Sequence, residues 1–331
     1  MSGLDDKDKD LLGPHRMVRA SMRGRHGPPR EVRASKISVA ERLRIARGVP
    51  QALVKVTSYV RGREGCRRHW YYISRKGKLA LETETGELLS GRDEQRAVLD
   101  AWALSFDKRK NARDQVNVVV SALPGTSPEA VRRAARAFGQ EAFAGQRYVF
   151  VLHDDKKHPH VHFAVALRGA EKKLDPRLKE LHRWRELWAE KARQQGIELA
   201  CSPRAARGVG RRRPPTTIYQ MQRRGVTPQV IVDAVKETVA KGADAEWERY
   251  TRERNAAERQ AYRQSAAQLR AAAKKTAAGP ERVKFETAAD ELEQFAQRMP
   301  VAKTRRQQLR EALALRQKQK TLTKTSDDLE R

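Results

Sequence analysis

The stretch YVFVLHDDKKHPHVHFAVAL, residues 148–167, decides how this chain folds. Two apolar runs rich in β-branched and aromatic residues flank the polar loop 154–159, and each run has the alternation of a β-strand. A loop this short makes the two strands antiparallel neighbours. One set of alternating side chains is apolar and should pack on helices: Tyr148, Phe150, Leu152, Val161, Phe163, Val165 and Leu167.

The other face of this strand pair carries three histidines. His153 ends the first strand, and His160 and His162 lie two residues apart in the second, so all three side chains should point together. Because the reverse face is buried, we expect the histidine face to be open. Three histidines on an open face predict a catalytic metal site, with positions left for water or substrate. His158 is interpreted as structural or DNA-facing. Asp155 either orients a histidine or accepts a proton, with a plain loop acid as the alternative.

The charge balance indicates the class of partner. Lysine and arginine number 70 against 41 acidic residues, which gives a formal net charge of +29. A chain this basic is typical of nucleic-acid-binding proteins. Cys66 and Cys201, the two cysteines of the chain, exclude a disulfide framework and a cysteine zinc site and favour a reducing compartment. No apolar run reaches the length of a membrane span, and the N-terminus has acids where a signal peptide needs apolar residues.

Composition divides the chain into three parts. Residues 1–48 are interpreted as a basic, mostly disordered arm, which either contacts DNA or is simply solvated. Residues 49–215 alternate strands and helices and end in a basic connector. We predict an α+β fold there, with a central antiparallel sheet and flanking helices rather than a doubly wound parallel sheet. Residues 216–331 have a charged, mostly α-helical pattern, and form either a solvated tail or a docking module.

With a polyanion as partner, the natural reaction is phosphoryl transfer on DNA or RNA, assisted by a metal ion. The nucleophile is either water or a side chain, and WYYISRKGK, residues 70–78, offers a side chain. Tyr71 and Tyr72 are both candidates at this point. Arg75, Lys76 and Lys78 follow them and could hold a phosphate and lower the pKa of a phenol.

These residues resemble a known family. His160-Val161-His162 is similar to the motif of the HUH endonucleases, and the longer pattern from His153 and Asp155 resembles the third motif of conjugative relaxases. The closest resemblance is to the MOBP class and its T-DNA border endonuclease branch. Three further segments match in the same order, namely the tyrosine motif from Tyr72 to Leu79, residues 120–127 and residues 196–208. Together the four segments cover about residues 52–210.

The resemblance implies a site- and strand-specific nickase that acts at an origin of transfer. Tyr72 would be the nucleophile, leaving a 5′-phosphotyrosyl link and a free 3′-hydroxyl, with Asp155 as a catalytic residue that supports the proton transfer. His153, His160 and His162 would hold Mg²⁺ or Mn²⁺, although the first histidine of the family has also been described as the proton acceptor. The candidate DNA-binding residues are Arg75, Lys76, Lys78, Arg168, Arg204 and Arg207. Trp70, Tyr71 and Arg168 are candidates for stacking on or lying along unpaired bases.

The resemblance also implies partners. These are single-stranded DNA at the origin of transfer, accessory relaxosome proteins, a coupling protein and a type IV secretion system. The protein would act in the bacterial cytoplasm and be exported with the DNA to the recipient. Lys157 departs from the branch because an acid is expected there, and the stretch before Tyr72 is short. A rolling-circle replication initiator and a non-enzymatic basic DNA-binding protein are the alternatives.

Overall fold

The computed structural model describes residues 31–109, 112–155, 158–168, 174–209, 216–226, 228–242, 244–304, 306–312 and 314. The chain divides into two compact units, one of residues 44–202 and one of residues 31–43 together with residues 203 onward. The predicted arm is described only from residue 31, and within it Val39–Ala46 forms helix α1.

A six-stranded antiparallel sheet lies at the centre of the 44–202 unit. The strands are β1 (Leu53–Val60), β2 (Leu81–Thr83), β3 (Leu88–Leu89), β4 (Gln115–Ser121), β5 (Tyr148–His153) and β6 (His160–Ala166). Their order across the sheet is β1-β4-β6-β5-β2-β3, and each neighbouring pair is antiparallel. The predicted hairpin, β5 and β6, therefore occupies the middle of the sheet, and the predicted α+β class is confirmed.

Helices cover both faces of this sheet. They are α2 (Gly62–Ile73), α3 (Arg92–Ala103), α4 (Pro128–Ala142) and α5 (Leu178–Gln194). The apolar face predicted for β5 and β6 packs against α4 and α5 in a core rich in aromatic side chains. Phe138, Phe143, Phe163, Trp184 and Trp188 are almost completely buried there. Burial of this face fixes the register of the hairpin, because a slip of one residue would expose every one of these strand side chains.

The prediction that the histidine face is open is wrong for about half of that face. Ala164 and Ala166 follow the histidines on the same side of β6, and both are buried in a second core. Trp70 of α2 and Trp102 of α3 pack in this core, with ring centroids 4.9 Å apart. The two alanines leave room for these indoles, so the helices cover the far half of the face. The end of α2 also buries His153, which is 3% exposed, while His160 and His162 stay partly exposed.

The second unit is helical over the part that the structure describes. Its helices are α6 (Thr216–Arg223), α7 (Gln229–Lys241), α8 (Ala245–Lys275) and α9 (Pro280–Arg298). Helices α8 and α9 pack through a seam of mostly small buried residues, which includes Ala266, Ala289 and Leu292. Helix α9 begins at Pro280, directly after Gly279, because a proline is tolerated in the first turn of a helix but not in its interior. Within the described residues, no helix has the length and apolar character needed to cross a membrane.

Candidate active site

The three predicted histidines meet at one end of the β5–β6 hairpin. His153 and His160 are direct partners in the register, and His162 follows on the same face. The ring centroids of His153 and His162 lie 4.6 Å apart, and those of His160 and His162 lie 5.1 Å apart. One ligand nitrogen from each of the three rings lies within 4.8 Å of the others. This spacing lets a single cation reach all three imidazoles.

Backbone carbonyls orient two of these rings. His153 Nε2 lies 2.6 Å from the carbonyl oxygen of Ile73, and His160 Nδ1 lies 3.0 Å from that of His158. Since a carbonyl oxygen only accepts, each of these nitrogens carries the proton. Nδ1 of His153 and Nε2 of His160 then keep their lone pairs. A hydrogen bond from the second ring nitrogen to a carbonyl is the usual support of a metal-binding histidine.

Burial favours the neutral form of two histidines in the cluster. The pKa of His162 is lowered to about 3, mainly by burial and in smaller part by the neighbouring rings of His153, His160 and His69. The pKa of His153 is also lowered, mainly by burial. Neutral imidazole is the form that binds a metal ion, so the donor set fits a divalent cation at neutral pH.

The two candidate tyrosines have different surroundings at the end of α2. The Tyr71 hydroxyl accepts a hydrogen bond of 2.8 Å from Arg92 Nη2, and the Arg92 guanidinium lies 4.6 Å from the centre of the same ring. Tyr72 is 65% exposed. The residue after it, Ile73, provides the carbonyl that holds His153, so the backbone of Tyr72 lies beside the cluster. These surroundings favour Tyr72 over Tyr71 as the nucleophile.

A strained turn follows the tyrosines. Arg75 and Lys76 both have positive φ, 53° and 65°, and Gly77 continues the left-handed path at 85°. Such backbone costs on the order of 1–3 kcal/mol for each residue other than glycine, and it persists only where the surroundings impose it. Here the Lys76 amide donates to the Tyr71 carbonyl, which closes the end of the helix.

The turn directs Arg75 at the histidine cluster. Arg75 Nη2 donates to Asp155 Oδ2 at 2.7 Å and lies 3.5 Å from His153 Nδ1. Asp155 therefore holds an arginine at the edge of the site, a contact that the sequence pattern did not predict. Lys76 and Lys78 are exposed on the same turn.

The other candidate DNA contacts lie elsewhere. Arg168 is paired with Asp107 and comes after the far end of β6, about 20 Å from His162 at the usual rise per strand residue. Arg204 directly precedes a short 3₁₀ helix, Ala205–Arg207, in the second unit, and Arg207 is its last residue. Trp70 cannot stack on a base as predicted, because it is buried in the second core with 1% exposure. Lys157 lies outside the described residues.

Two comparisons identify the domain. Residues 72–197 match the family model "Relaxase: MobA/VirD2-like, nuclease domain". T-DNA border endonuclease VirD2 from Rhizobium radiobacter is 29% identical over 174 residues, which covers 46% of this chain and 41% of that protein. VirD2 from Rhizobium rhizogenes and from Agrobacterium fabrum match with the same identity over 39% and 38% of their lengths.

Residues 72–197 form a MobA/VirD2-like relaxase nuclease domain. The family resemblance predicted from the motifs is thereby confirmed. The chain spans about two fifths of the length of these relatives. The matched range contains both Tyr72 and the histidine cluster of the relaxase domain, the two features that the sequence motifs emphasised.

Burial of neutral histidines makes the stability of the 44–202 unit depend on pH. Burial lowers the pKa of His69 to about 4, as it lowers that of His162 to about 3. Between pH 6.5 and 4 the unfolded chain binds protons that the folded chain does not. The free energy of unfolding should therefore fall as the pH falls, by about 1.4 kcal/mol per pH unit for each such histidine.

Denaturant unfolding of the metal-free protein at pH 4.5 to 7.5 measures this slope. We expect His69→Gln to lower the slope of the free energy of unfolding against pH by the contribution of about one proton, about 1.4 kcal/mol per pH unit, while the slope above pH 7 stays unchanged. An identical slope in the variant and the parent protein would contradict the neutral, buried state of His69.

Proposed function

We propose that the relaxase domain nicks single-stranded DNA at an origin of transfer and rejoins the strand after conjugative transfer. One observation carries the proposal. Three imidazoles can share one cation, and the ring of His153 is held by the carbonyl that directly follows the exposed Tyr72. A nucleophile and a charge-stabilising ion side by side are what metal-assisted transesterification on a phosphate requires.

The proposed cleavage is one exchange of phosphate esters. The phenolic oxygen of Tyr72 attacks the scissile phosphorus, a tyrosyl O–P bond forms and the P–O3′ bond breaks. The phenolic proton leaves to a base, and the departing 3′ oxygen takes up a proton to become a hydroxyl. Because a phosphodiester is exchanged for a phosphotyrosyl diester, the reverse reaction can reseal the strand without another energy source.

His153, His160 and His162 would hold Mg²⁺ or Mn²⁺, whose charge stabilises the phosphate oxygens as negative charge develops on them. Two hydrogen bonds to backbone carbonyls orient these rings and leave one nitrogen lone pair on His153 and one on His160 for the cation. The lone pair on His153 Nδ1 can bind the cation or accept the phenolic proton, but not both at once. Assignment of His153 as a ligand therefore leaves Asp155 as the group that supports proton transfer.

Arg75 has a clear candidate role at this site. Asp155 holds its guanidinium at the edge of the cluster, where five N–H donors suit a phosphate oxygen pair. Lys76 and Lys78 extend the same positive turn toward the neighbouring phosphates. Arg204 and Arg207 stay proposed DNA contacts of the second unit, and Arg168 is proposed to contact DNA away from the scissile phosphate.

The wider role follows from the same proposal. Accessory relaxosome proteins would open the DNA, and a coupling protein would pass the linked strand to a type IV secretion system. The protein would act in the cytoplasm of the donor and leave with the DNA. The basic helical unit is a candidate surface for these contacts.

A covalent adduct tests the proposal directly. The full chain is incubated with single-stranded oligonucleotides from the DNA flanking its gene, with Mn²⁺ or Mg²⁺, and run on a denaturing gel. We expect a band shifted by the mass of the 3′ fragment, joined through its 5′ phosphate, and a released fragment with a free 3′-hydroxyl. Fragments without an adduct would indicate hydrolysis by water, and binding without cleavage would favour a non-enzymatic DNA-binding protein.

A further inference from the structure

A series of hydrogen-bonded polar side chains connects the tyrosine helix to the sheet beside the histidine cluster. Trp70 Nε1 donates to Gln115 Oε1 at 2.9 Å. Gln115 Nε2 lies 2.7 Å from Asn117 Oδ1 and 3.2 Å from His69 Nδ1. Asn117 Nδ2 donates to Ser58 Oγ at 2.8 Å. Gln115, Asn117 and Trp70 are each at most 1% exposed, so water does not compete for the two bonds among them, whereas His69 is partly exposed and Ser58 is exposed.

The Trp70 indole fixes the donor and the acceptor of each hydrogen bond in this series. An indole N–H can only donate, so the Gln115 oxygen faces Trp70 and its amide nitrogen faces the other way. That nitrogen has two hydrogens, one for Asn117 and one for His69. His69 Nδ1 must then accept, which leaves the proton of the neutral ring on Nε2.

The helix places His69 where such a proton is useful. His69 lies three residues before Tyr72 in α2, so the two side chains are neighbours on the helix surface. His69 contacts Gln115 of β4, and the same face of that strand carries Val119, the register partner of His162. His69 therefore shares one helix surface with Tyr72 and one sheet face with His162, the two groups between which a phosphate would be held.

We propose that His69 is a further functional residue of the relaxase site, a neutral histidine whose Nε2–H donates to an oxygen of the bound DNA phosphate. This inference rests on the proposed function and adds one group to it. The Trp70–Gln115 pair acts as a positioning device, because it fixes the ring tautomer before DNA arrives. A neutral donor stabilises phosphate charge without repelling a cation held by the adjacent histidines.

The first test needs no DNA and no metal. In the ¹⁵N-histidine spectrum of the full chain, the signals of His69 are those lost in His69→Gln. We expect Nε2 at a protonated, pyrrole-type position and Nδ1 at an unprotonated, pyridine-type position. Ser58→Ala is the matched control, since it removes only the far acceptor of the series and should leave this pattern unchanged. A proton on Nδ1 of His69 in the parent protein would overturn the inference.

The second test separates donor from structure. His69→Phe removes the donor and should lower the single-turnover cleavage rate at saturating DNA on the order of 100-fold, as loss of one charge-stabilising donor does. His69→Gln keeps an N–H near the Nε2 position and should stay within a few-fold of the parent rate, and Ser58→Ala should match the parent. Cleavage by His69→Phe at the parent rate overturns the inference, whereas absence of an adduct with the parent protein overturns the proposed function itself.

Discussion

Tyr72→Phe is expected to abolish the covalent protein–DNA adduct. Phenylalanine keeps the ring and lacks only the oxygen that would bond to phosphorus, so a loss beyond the detection limit is expected rather than a slower reaction. Since Tyr72 is 65% exposed, the substitution should leave the fold and the affinity for single-stranded DNA nearly unchanged. The measurement is the shifted band on a denaturing gel, together with DNA binding by fluorescence anisotropy.

Tyr71→Phe is the matched control for this prediction. Its hydroxyl accepts from Arg92, so the variant loses one exposed hydrogen bond and its adduct should persist. Because water can replace the lost partner, the expected loss of stability is small, about 0.5 kcal/mol. If Tyr71→Phe loses the adduct while Tyr72→Phe keeps it, the assignment within the pair is reversed. If both variants keep it, the nucleophile is another group.

The hairpin that carries the site could be predicted from the sequence because two local signals agreed. Alternation in residues 148–167 gave the strands and their buried face, and the short loop gave their direction. The alternation and the short loop together predicted that His153 lies opposite His160, and the strand register of the structure confirms this pairing. Such agreement between pattern and turn is the most informative signal that a single sequence carries.

Other parts of the site could not be predicted because they depend on distant segments. Helices α2 and α3 cover half of the histidine face, and the strand pattern does not specify which helices do so. The small side chains of Ala164 and Ala166 on that face were the one indication that another element packs there. The pairing of Arg75 with Asp155 joins residues 80 positions apart and requires an unusual left-handed backbone. No local periodicity specifies either contact.

His69 illustrates the same limit more sharply. As a lone histidine in a helix it looks like an ordinary solvated or packed side chain. The tautomer of its ring is set by a hydrogen bond from Gln115, 46 residues away, and Trp70 fixes the orientation of that amide. A buried glutamine within a run of valines, QVNVVV, was the sequence signal that a polar partner had to exist nearby.

Replacement of His160 and His162 together by alanine is expected to abolish both metal binding and cleavage. Two of the three imidazole donors are lost, and one remaining histidine cannot hold a divalent ion at micromolar concentration. Loss of the ion should lower the cleavage rate by roughly 1,000-fold or more, since a bound metal contributes several kcal/mol of charge stabilisation. Calorimetric titration with Mn²⁺ measures the first effect, and adduct formation measures the second.

His158→Ala is the matched control because it changes a histidine in the same hairpin loop. Its side chain is exposed, and it supports His160 only through its backbone carbonyl, which alanine also provides. This variant should therefore bind Mn²⁺ and cleave like the parent protein.

Chelation of divalent ions should abolish cleavage by the parent protein, as the double substitution does. The affinity for DNA should change little in either experiment. Undiminished cleavage by the double variant, or in the presence of chelator, would exclude the histidine cluster as the centre of the reaction and leave Tyr72 and its basic turn to act without a metal ion.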